Sequence, residues 1–411
     1  MGAVTTRAGT DRCPGVLRPH WAQDGALLRI RIPGGRVDAG ALRQLSDASV
    51  RYADGDVQLT SRANLQLRGV RTHRDGTVDD GLVQALAAAG LLPHPTHDRV
   101  RNIVCSPLTG LAGGLADLRP TLAALDRAIC GAPDLAALPG PFRFGLDDGR
   151  GDIGAGRADL AAVAIGDDRV RIWAGGVAGP ELPLAAAVPV LFGLARRFLD
   201  LDSPSWHIRD LPGGGRRFLA RTGRAELADH AGPAAAAPPV DTAPLGVLGQ
   251  YDGRMVASVL VPLGRLSGSQ VQALADAAAT GQGRLIVTPW RGMLVPDLRS
   301  SSVMVGLTAR GLVADEGTGW RGVTACAGTR CARGVGDTDG PAGQVAARSG
   351  RSPSLPVHVV ACARCCGVPS GRHVLATITR SGVEIRDGGT TVEAPAADAV
   401  DVIVNLREGA R

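Results

Sequence analysis

Apolar and polar positions alternate through LLRIRIPGGRV, residues 27 to 37, and the alternation predicts a strand. Leu42, Leu45 and Ala48 then recur on one face of a helix, with Asp38 placed to cap it. DVQLTSRANLQLRGV predicts a strand to Thr60, a polar turn, and a second strand carrying Leu65 and Leu67. GLVQALAAAGLL has the helical period and ends near Gly90, and RVRNIVCSP is another strand. Residues 115 to 130 predict a helix. PFRFGLDDG, AVAIG and RVRIWAGG predict strands, and LPLAAAVPVLFGLARRFLDL is the strongest helical stretch. The first 12 residues are polar and predict a frayed end, followed by an ordered opening loop around Cys13-Pro14-Gly15 and Pro19-His20-Trp21.

The pattern then repeats. IPGGRVDAGALRQLSDA, from Ile32, matches VPLGRLSGSQVQALADA, from Val261, with Pro33, Gly35, Arg36, Leu45 and Asp47 in register with Pro262, Gly264, Arg265, Leu274 and Asp276 at an offset of 229. After one gap, VQLTSRANLQL answers LIVTPWRGMLV, with Thr60 against Thr288. A repeat this long means a duplicated domain rather than a solenoid. Two such halves create one cleft between them, a common place for a ligand. Ala/Pro-rich residues 232 to 246, without a period, predict the linker between the halves. The predicted order is two half-size units, at 13–75 and 247–300, each followed by a larger α+β segment, at 76–231 and 301–411.

Composition narrows the function. No lysine occurs, so all 45 basic residues are arginines, planar forks suited to carboxylates and phosphates. Net charge is +6, with no dense basic run interleaved with aromatics, which argues against nucleic acid and for a small polyanion. No apolar run reaches the ~18 residues of a membrane span. The opening MGAVTTRAGTDRCPG has no apolar core of a secretory signal, so a cytoplasmic protein with reduced thiols is expected.

Five of the eight cysteines fall between Thr324 and Pro369: Cys326 and Cys331, then Cys362, Cys365 and Cys366. Two pairs flanking a loop can close four thiolates around zinc or an iron–sulfur cluster, and a disulfide pair is the third reading. Reduced thiols demote the disulfide. The Cys-x4-Cys and Cys-x3-Cys spacings are wider than zinc knuckles, and the small neighbours favour a larger 4Fe–4S cluster, whose sulfides need backbone N–H donors nearby. Cys13, Cys105 and Cys130, each alone, are expected to be buried structural thiols.

The turn LTSRANLQLRG, RNIVCSP, the LPGPFRF segment and the paired cysteines together resemble the sulfite/nitrite reductase superfamily. Within it, CPGVLRPHWAQDGALLRIRIPGG, VPLGRL and VTPWRGMLVPDL are similar to the precorrin-3B synthase branch. The resemblance implies an α+β fold of two pseudo-symmetric halves, each a ferredoxin-like half domain plus a larger α+β segment, with a 4Fe–4S cluster in the second half and a tetrapyrrole in the cleft. It implies cluster ligands at Cys326, Cys331, Cys362 and Cys366. The first pair is one residue closer than the family's pattern, and Cys365 is an alternative ligand. It implies substrate contacts at Arg62, Arg101 and Arg143. Pro141 stands where the family has a further basic residue. On the residues' own pattern, Asn64 faces the same pocket from an alternating strand, and Arg291 is a candidate for the opposite wall beside Trp290.

The implied reaction is O2-dependent hydroxylation and lactone formation on precorrin-3A, with a mononuclear iron as a further cofactor. NADH-derived electrons are delivered by a ferredoxin or reductase partner, since no dinucleotide fingerprint occurs. His20, His207 and His358 lack the spacing of an iron triad, so no catalytic residue is assigned. The rival readings are a small siroheme-dependent sulfite or nitrite reductase and a zinc-stabilised tetrapyrrole carrier without activity.

Overall fold

The structure is a computed structural model that describes residues 11–220, 244–350, 355–369 and 371–409. Most of the linker expected at 232–246 lies outside the described residues.

The first repeat contains β1 (His20–Ala22), β2 (Gly25–Ile30), β3 (Arg36–Asp38), α1 (Ala39–Tyr52), β4 (Val57–Leu59), β5 (Leu65–Val70) and α2 (Asp80–Ala88). The larger segment after it holds β6 (Ile103–Cys105), α3 (Arg119–Cys130), β7 (Phe144–Asp147), β8 (Leu160–Ala164), β9 (Arg169–Ala174), β10 (Val177–Pro183), α4 (Ala187–Asp200) and α5 (Gly214–Ala220). The second repeat contains β11 (Gly246–Gly249), β12 (Met255–Leu260), β13 (Arg265–Leu266), α6 (Gly268–Ala279), β14 (Arg284–Val287), β15 (Gly292–Leu298) and α7 (Val303–Thr308). The last segment holds β16 (Val323–Ala325), α8 (Asp339–Arg348), β17 (Val357–Val360), β18 (Val374–Ile378), β19 (Val383–Asp387), β20 (Thr390–Ala394) and α9 (Ala399–Glu408).

LLRIRIPGGRV is not one strand. Pro33 removes a backbone donor, and Gly34 and Gly35 take left-handed φ values of 62° and 71°, so the ladder breaks after Ile30. The chain turns through a 3-10 step and re-enters a sheet as β3, in the other half. Sheet order is β1-β2-β5-β4-β13 in the first repeat and β11-β12-β15-β14-β3 in the second. Each repeat thus lends one short edge strand to the other. Arg36 stands opposite Ile286, and Arg265 opposite Gln58. The helix expected from residue 115 begins at Arg119, because Pro120 belongs in a first turn and residues 115–118 form the loop before it.

A single core joins the two repeats, with Leu42 and Leu45 of α1 packed in the same cluster as Leu274 of α6. The larger segments have separate cores and a common topology. β6-β7-β8 and β16-β17-β18 are parallel, and the last two strands of each sheet return antiparallel. The carboxyl ends of the parallel strands, where sheets of this type present ligands, carry different chemistry in the two halves. One carries cysteines. The other carries Asp147, Asp148 and Asp152, whose buried carboxylates lie within 4.8 Å of one another.

Candidate functional site

Pleating divides β2 and β5 into two faces. Leu28, Ile30, Leu65 and Leu67 are fully buried in the core. Arg29, Arg31, Gln66 and Arg68 point the other way. Arg29 donates to Gln66 Oε1 at 3.2 Å, and Gln66 donates to Gln58 Oε1 at 3.0 Å. Arg31, only 3% exposed, donates to the carbonyls of Pro14 at 3.0 Å and Asp98 at 3.3 Å. The Nε atoms of Arg29 and Arg31 are buried without a partner.

More guanidinium groups gather on this face. Burial, followed by the neighbouring Arg62, pushes Arg29 below the usual arginine value. Burial and then Arg29 bring Arg31 down to about 10. Arg143 is also brought down to about 10, by burial and then by Arg62, with Arg157 and Arg209 adding to the repulsion. None of Arg29, Arg31, Arg62 and Arg143 forms an ion pair among the described residues. Asp98 and Asp159 offset part of the repulsion at Arg31 and Arg143, and the rest is a cost that a nearby anion would relieve.

The turn carrying Arg62 is closed by Thr60, whose backbone N–H donates to Asn64 O at 2.9 Å and whose hydroxyl accepts from Asn64 N at 3.1 Å. The second repeat builds the same turn, with Thr288 bonded in the same two ways to Gly292 at 2.9 and 3.0 Å. Ala63 and Arg291 occupy the same left-handed position, with φ of 54° and 59°. Arg291 therefore leaves the turn one residue after the place equivalent to Arg62, which Trp290 holds. A cavity of about 920 Å³ spans both halves there, with Ser61 and Arg157 on one side and Trp290, Arg291, Trp320 and Thr324 on the other.

Two of the expected contact residues are committed elsewhere. Asn64 is 2% exposed; its Oδ1 accepts from Ile32 N at 3.1 Å and its Nδ2 donates to Asn102 at 3.3 Å. Arg101 makes a two-point pair with Asp126 of α3, both bonds 2.8 Å. The array instead draws on Arg29, Arg31 and Arg157. The signal for the first two was two arginines, i and i+2, in an otherwise apolar strand.

The cysteines take their positions from β16 and β17. These strands are parallel, with Thr324 opposite His358, so Cys326 and Cys362 leave the same sheet edge. Cys326 N donates to Val359 O at 2.9 Å, and Gly328 N donates to Cys326 Sγ at 3.3 Å. A short 3-10 turn, Gly328–Arg330, accommodates the four-residue spacing to Cys331. Burial raises the Cys366 thiol, and Cys362, Cys331 and Cys326 raise it further, so these sulfurs share one neighbourhood. Cys365, with φ of 48°, points its Sγ at the Ala363 carbonyl, 3.6 Å away. The walls meet where Arg68 Nη2 donates to Arg330 O at 2.8 Å.

The Gly328 N–H on Cys326 Sγ is the kind of backbone donor that the sulfurs of an iron–sulfur cluster take.

Two of the three histidines have protein partners on their ring nitrogens. His207 Nδ1 lies 3.1 Å from both oxygens of Asp159. His20 is shifted down by burial, then by Arg364. His358 is buried between Thr324 and the Cys366 carbonyl. Cys105 is buried and its thiol pushed up to about 12 by that burial.

The nitrite/sulfite reductase ferredoxin-like half domain matches residues 22–84 and again 248–304, the two repeats that exchange edge strands. The solved structure of the Mycobacterium tuberculosis NirA protein superposes with a TM-score of 0.71 at 19% identity, covering 93% of this chain and 80% of that one. The chain has the fold of the nitrite and sulfite reductases. A ferredoxin–nitrite reductase of Synechococcus elongatus is 28% identical over 93% of this chain and 80% of its own length. A precorrin-3B synthase of a Sinorhizobium species is 25% identical over 94% and 84%. A sulfite reductase of Mycolicibacterium paratuberculosis is 26% identical, but the match spans only 59% of it. These relatives are oxidoreductases of the nitrite/sulfite reductase type. No helix among the described residues is long and apolar enough to cross a membrane.

Proposed function

We propose that the chain is a precorrin-3B synthase, an O2-dependent oxidoreductase that hydroxylates precorrin-3A and closes a lactone from a neighbouring acetate arm. The observation that carries this reading is the array of Arg29, Arg31, Arg62 and Arg143 without ion pairs, joined through Ser61, next to Arg62, and Arg157, near Arg143, to the lining of a cavity of about 920 Å³. A tetrapyrrole with many carboxylates supplies the missing counter-charges. Each guanidinium holds a carboxylate by short, directional bonds. Fixing the arms at several points orients one ring carbon, and orientation lowers the barrier to its reaction. Trp290 and Trp320 offer apolar surface to the macrocycle.

Cys326, Cys331, Cys362 and Cys366 are the residues that would hold a 4Fe–4S cluster, and that cluster supplies single-electron transfer when bound. One oxygen atom of O2 enters the product, and the other leaves as water with two electrons and two protons from an external NADH-linked donor. The test is turnover of precorrin-3A by anaerobically purified protein, supplied with O2 and a reductant and followed by mass. A gain of one oxygen atom is expected; no gain with the cluster intact overturns the reading.

A second reading is a siroheme-dependent nitrite or sulfite reductase, favoured by the relatives of those names. Pro141 stands where the family has a basic residue, so one carboxylate contact of the family's pattern is missing under either reading. The second predicts a bound iron macrocycle with a strong Soret band, and nitrite or sulfite reduction.

A further inference from the structure

Between Cys326 and Cys331 stands one charged residue, Arg330. Its side chain folds back over the loop that carries it. Nε donates to the Ala327 carbonyl at 3.4 Å, and Nη2 donates to Asp339 Oδ2 at 3.1 Å. Gly328 permits this tight course, since it takes a left-handed φ of 54° and a Cβ there would lie 2.8 Å from Thr338 Oγ1. Thr338 in turn donates to the Cys326 carbonyl at 3.0 Å, which sets the start of α8, and with it Asp339, against the loop.

Asp339 serves two cations. Arg265, on the edge strand lent to the first half, holds both of its oxygens, with one bond of 2.8 Å. One carboxylate offsets one guanidinium, so Arg265, Asp339 and Arg330 together leave a single positive charge beside the loop. Arg68, which donates to Arg330 O at 2.8 Å, adds no net charge because it is paired with Asp24. The Arg330 side chain is 28% exposed, so water screens its charge only in part. Arg36, the equivalent of Arg265 in the other repeat, makes no ion pair among the described residues. The ion-paired cluster therefore belongs to the half that carries the cysteine loop.

We propose that Arg330, held across the loop by Asp339, sets the reduction potential of the cluster that Cys326, Cys331, Cys362 and Cys366 would hold. The inference rests on the reading of those four cysteines as 4Fe–4S ligands. The external NADH-linked donor supplies one electron at a time, and no bond forms or breaks at Arg330. One-electron reduction adds one negative charge, which a fixed cation nearby favours, and local charge is one of the levers on such potentials.

A mediated redox titration of the anaerobically purified full chain at low ionic strength, followed by electron paramagnetic resonance, tests this. Arg330→Gln removes the cation and is expected to shift the reduction equilibrium toward the oxidised form by about three- to tenfold, about 30–60 mV for one electron. Asp339→Asn keeps an oxygen that accepts from Arg330 but loses the negative charge, and is expected to shift the equilibrium the opposite way. Opposite shifts are the electrostatic signature, because a merely loosened loop would move both variants in one direction. Equal potentials in the three proteins, or shifts in one direction, overturn the proposal. Should Arg330→Gln fail to hold a cluster, Asp339→Asn decides alone: a higher potential is expected, and an equal or lower one overturns the proposal. Iron and acid-labile sulfide of the wild type are measured alongside. Their absence sinks the reading of the four cysteines, whereas a loaded wild type with unmoved variants sinks only the role of Arg330.

Discussion

His358 Nε2 donates to the backbone carbonyl of Cys366 at 3.0 Å. A carbonyl only accepts, so Nε2 carries the proton and Nδ1 accepts from the Thr324 hydroxyl, 2.7 Å away. Burial lowers the ring to about 4, which keeps it neutral. The chain Thr324–His358–Cys366 ties the loop of the last three cysteines to two parallel strands.

His358→Ala is therefore expected to release that loop. Iron and acid-labile sulfide per chain should fall well below the wild-type level. Stability should drop by about 1–3 kcal/mol from the unsatisfied carbonyl and the lost packing. His358→Gln keeps a donor and should recover part of both. Equal metal content in the alanine variant would show that the loop holds itself.

Cys331 and Arg62 belong to opposite walls, so their variants should separate. Cys331→Ser is expected to remove the visible absorbance of an iron–sulfur cluster. Arg62→Ala should leave that absorbance intact and weaken tetrapyrrole binding by about 10- to 100-fold, as loss of one charged hydrogen-bonding group implies. Optical spectra and a tetrapyrrole titration of the two variants decide it. Bleaching in both would make Arg62 a structural residue.

Asn64 braces the fold rather than reaching into the cavity. Its carbonyl satisfies Ile32 N, just before the chain crosses to the other half, and its amide holds Asn102. Asn64→Ala should cost about 1–3 kcal/mol in denaturant unfolding while ligand affinity per folded molecule stays near wild type. A large affinity loss without destabilisation would return Asn64 to the ligand-binding set.

Asp152 gives a pH dependence of definite sign. Burial, then Asp147, raises its carboxyl to about 7, although Ser106 donates to it at 2.6 Å. A raised acid favours the folded state while protonated. That stability is complete below the unfolded value of about 4 and is lost as pH rises through 7. Asp152→Asn, which still accepts from Ser106, should raise the melting temperature at pH 8, less so at pH 5, and leave it nearly unchanged below about pH 4. No gain at pH 8 would mean that Arg150 already neutralises the carboxylate.

Much of the scaffold was legible from local pattern. The offset of 229 announced two copies of one unit, and the alternation in LQLRG announced a sheet with one polar face. The arginines of that face were harder to weigh. Arg29 and Arg31 read as ordinary polar positions of a strand, because alternation says which side a residue faces but not what stands opposite. Arg101 sits at a turn as an anion ligand would, yet Asp126, 25 positions later, occupies its fork. The helix period placed Asp126 on α3 without giving that helix a direction in space.

The sequence by itself determined the repeat and the paired thiols, because both are written in the order of residue types along the chain. The tertiary structure decided which half receives β3 and β13. It also decided that Arg265 pairs with Asp339 while Arg36 makes no ion pair among the described residues, and that Cys326 and Cys362 leave one sheet edge while Cys365 turns away. Those outcomes depend on pairings between residues tens to hundreds of positions apart, where burial and charge are set by whatever the folded chain brings alongside.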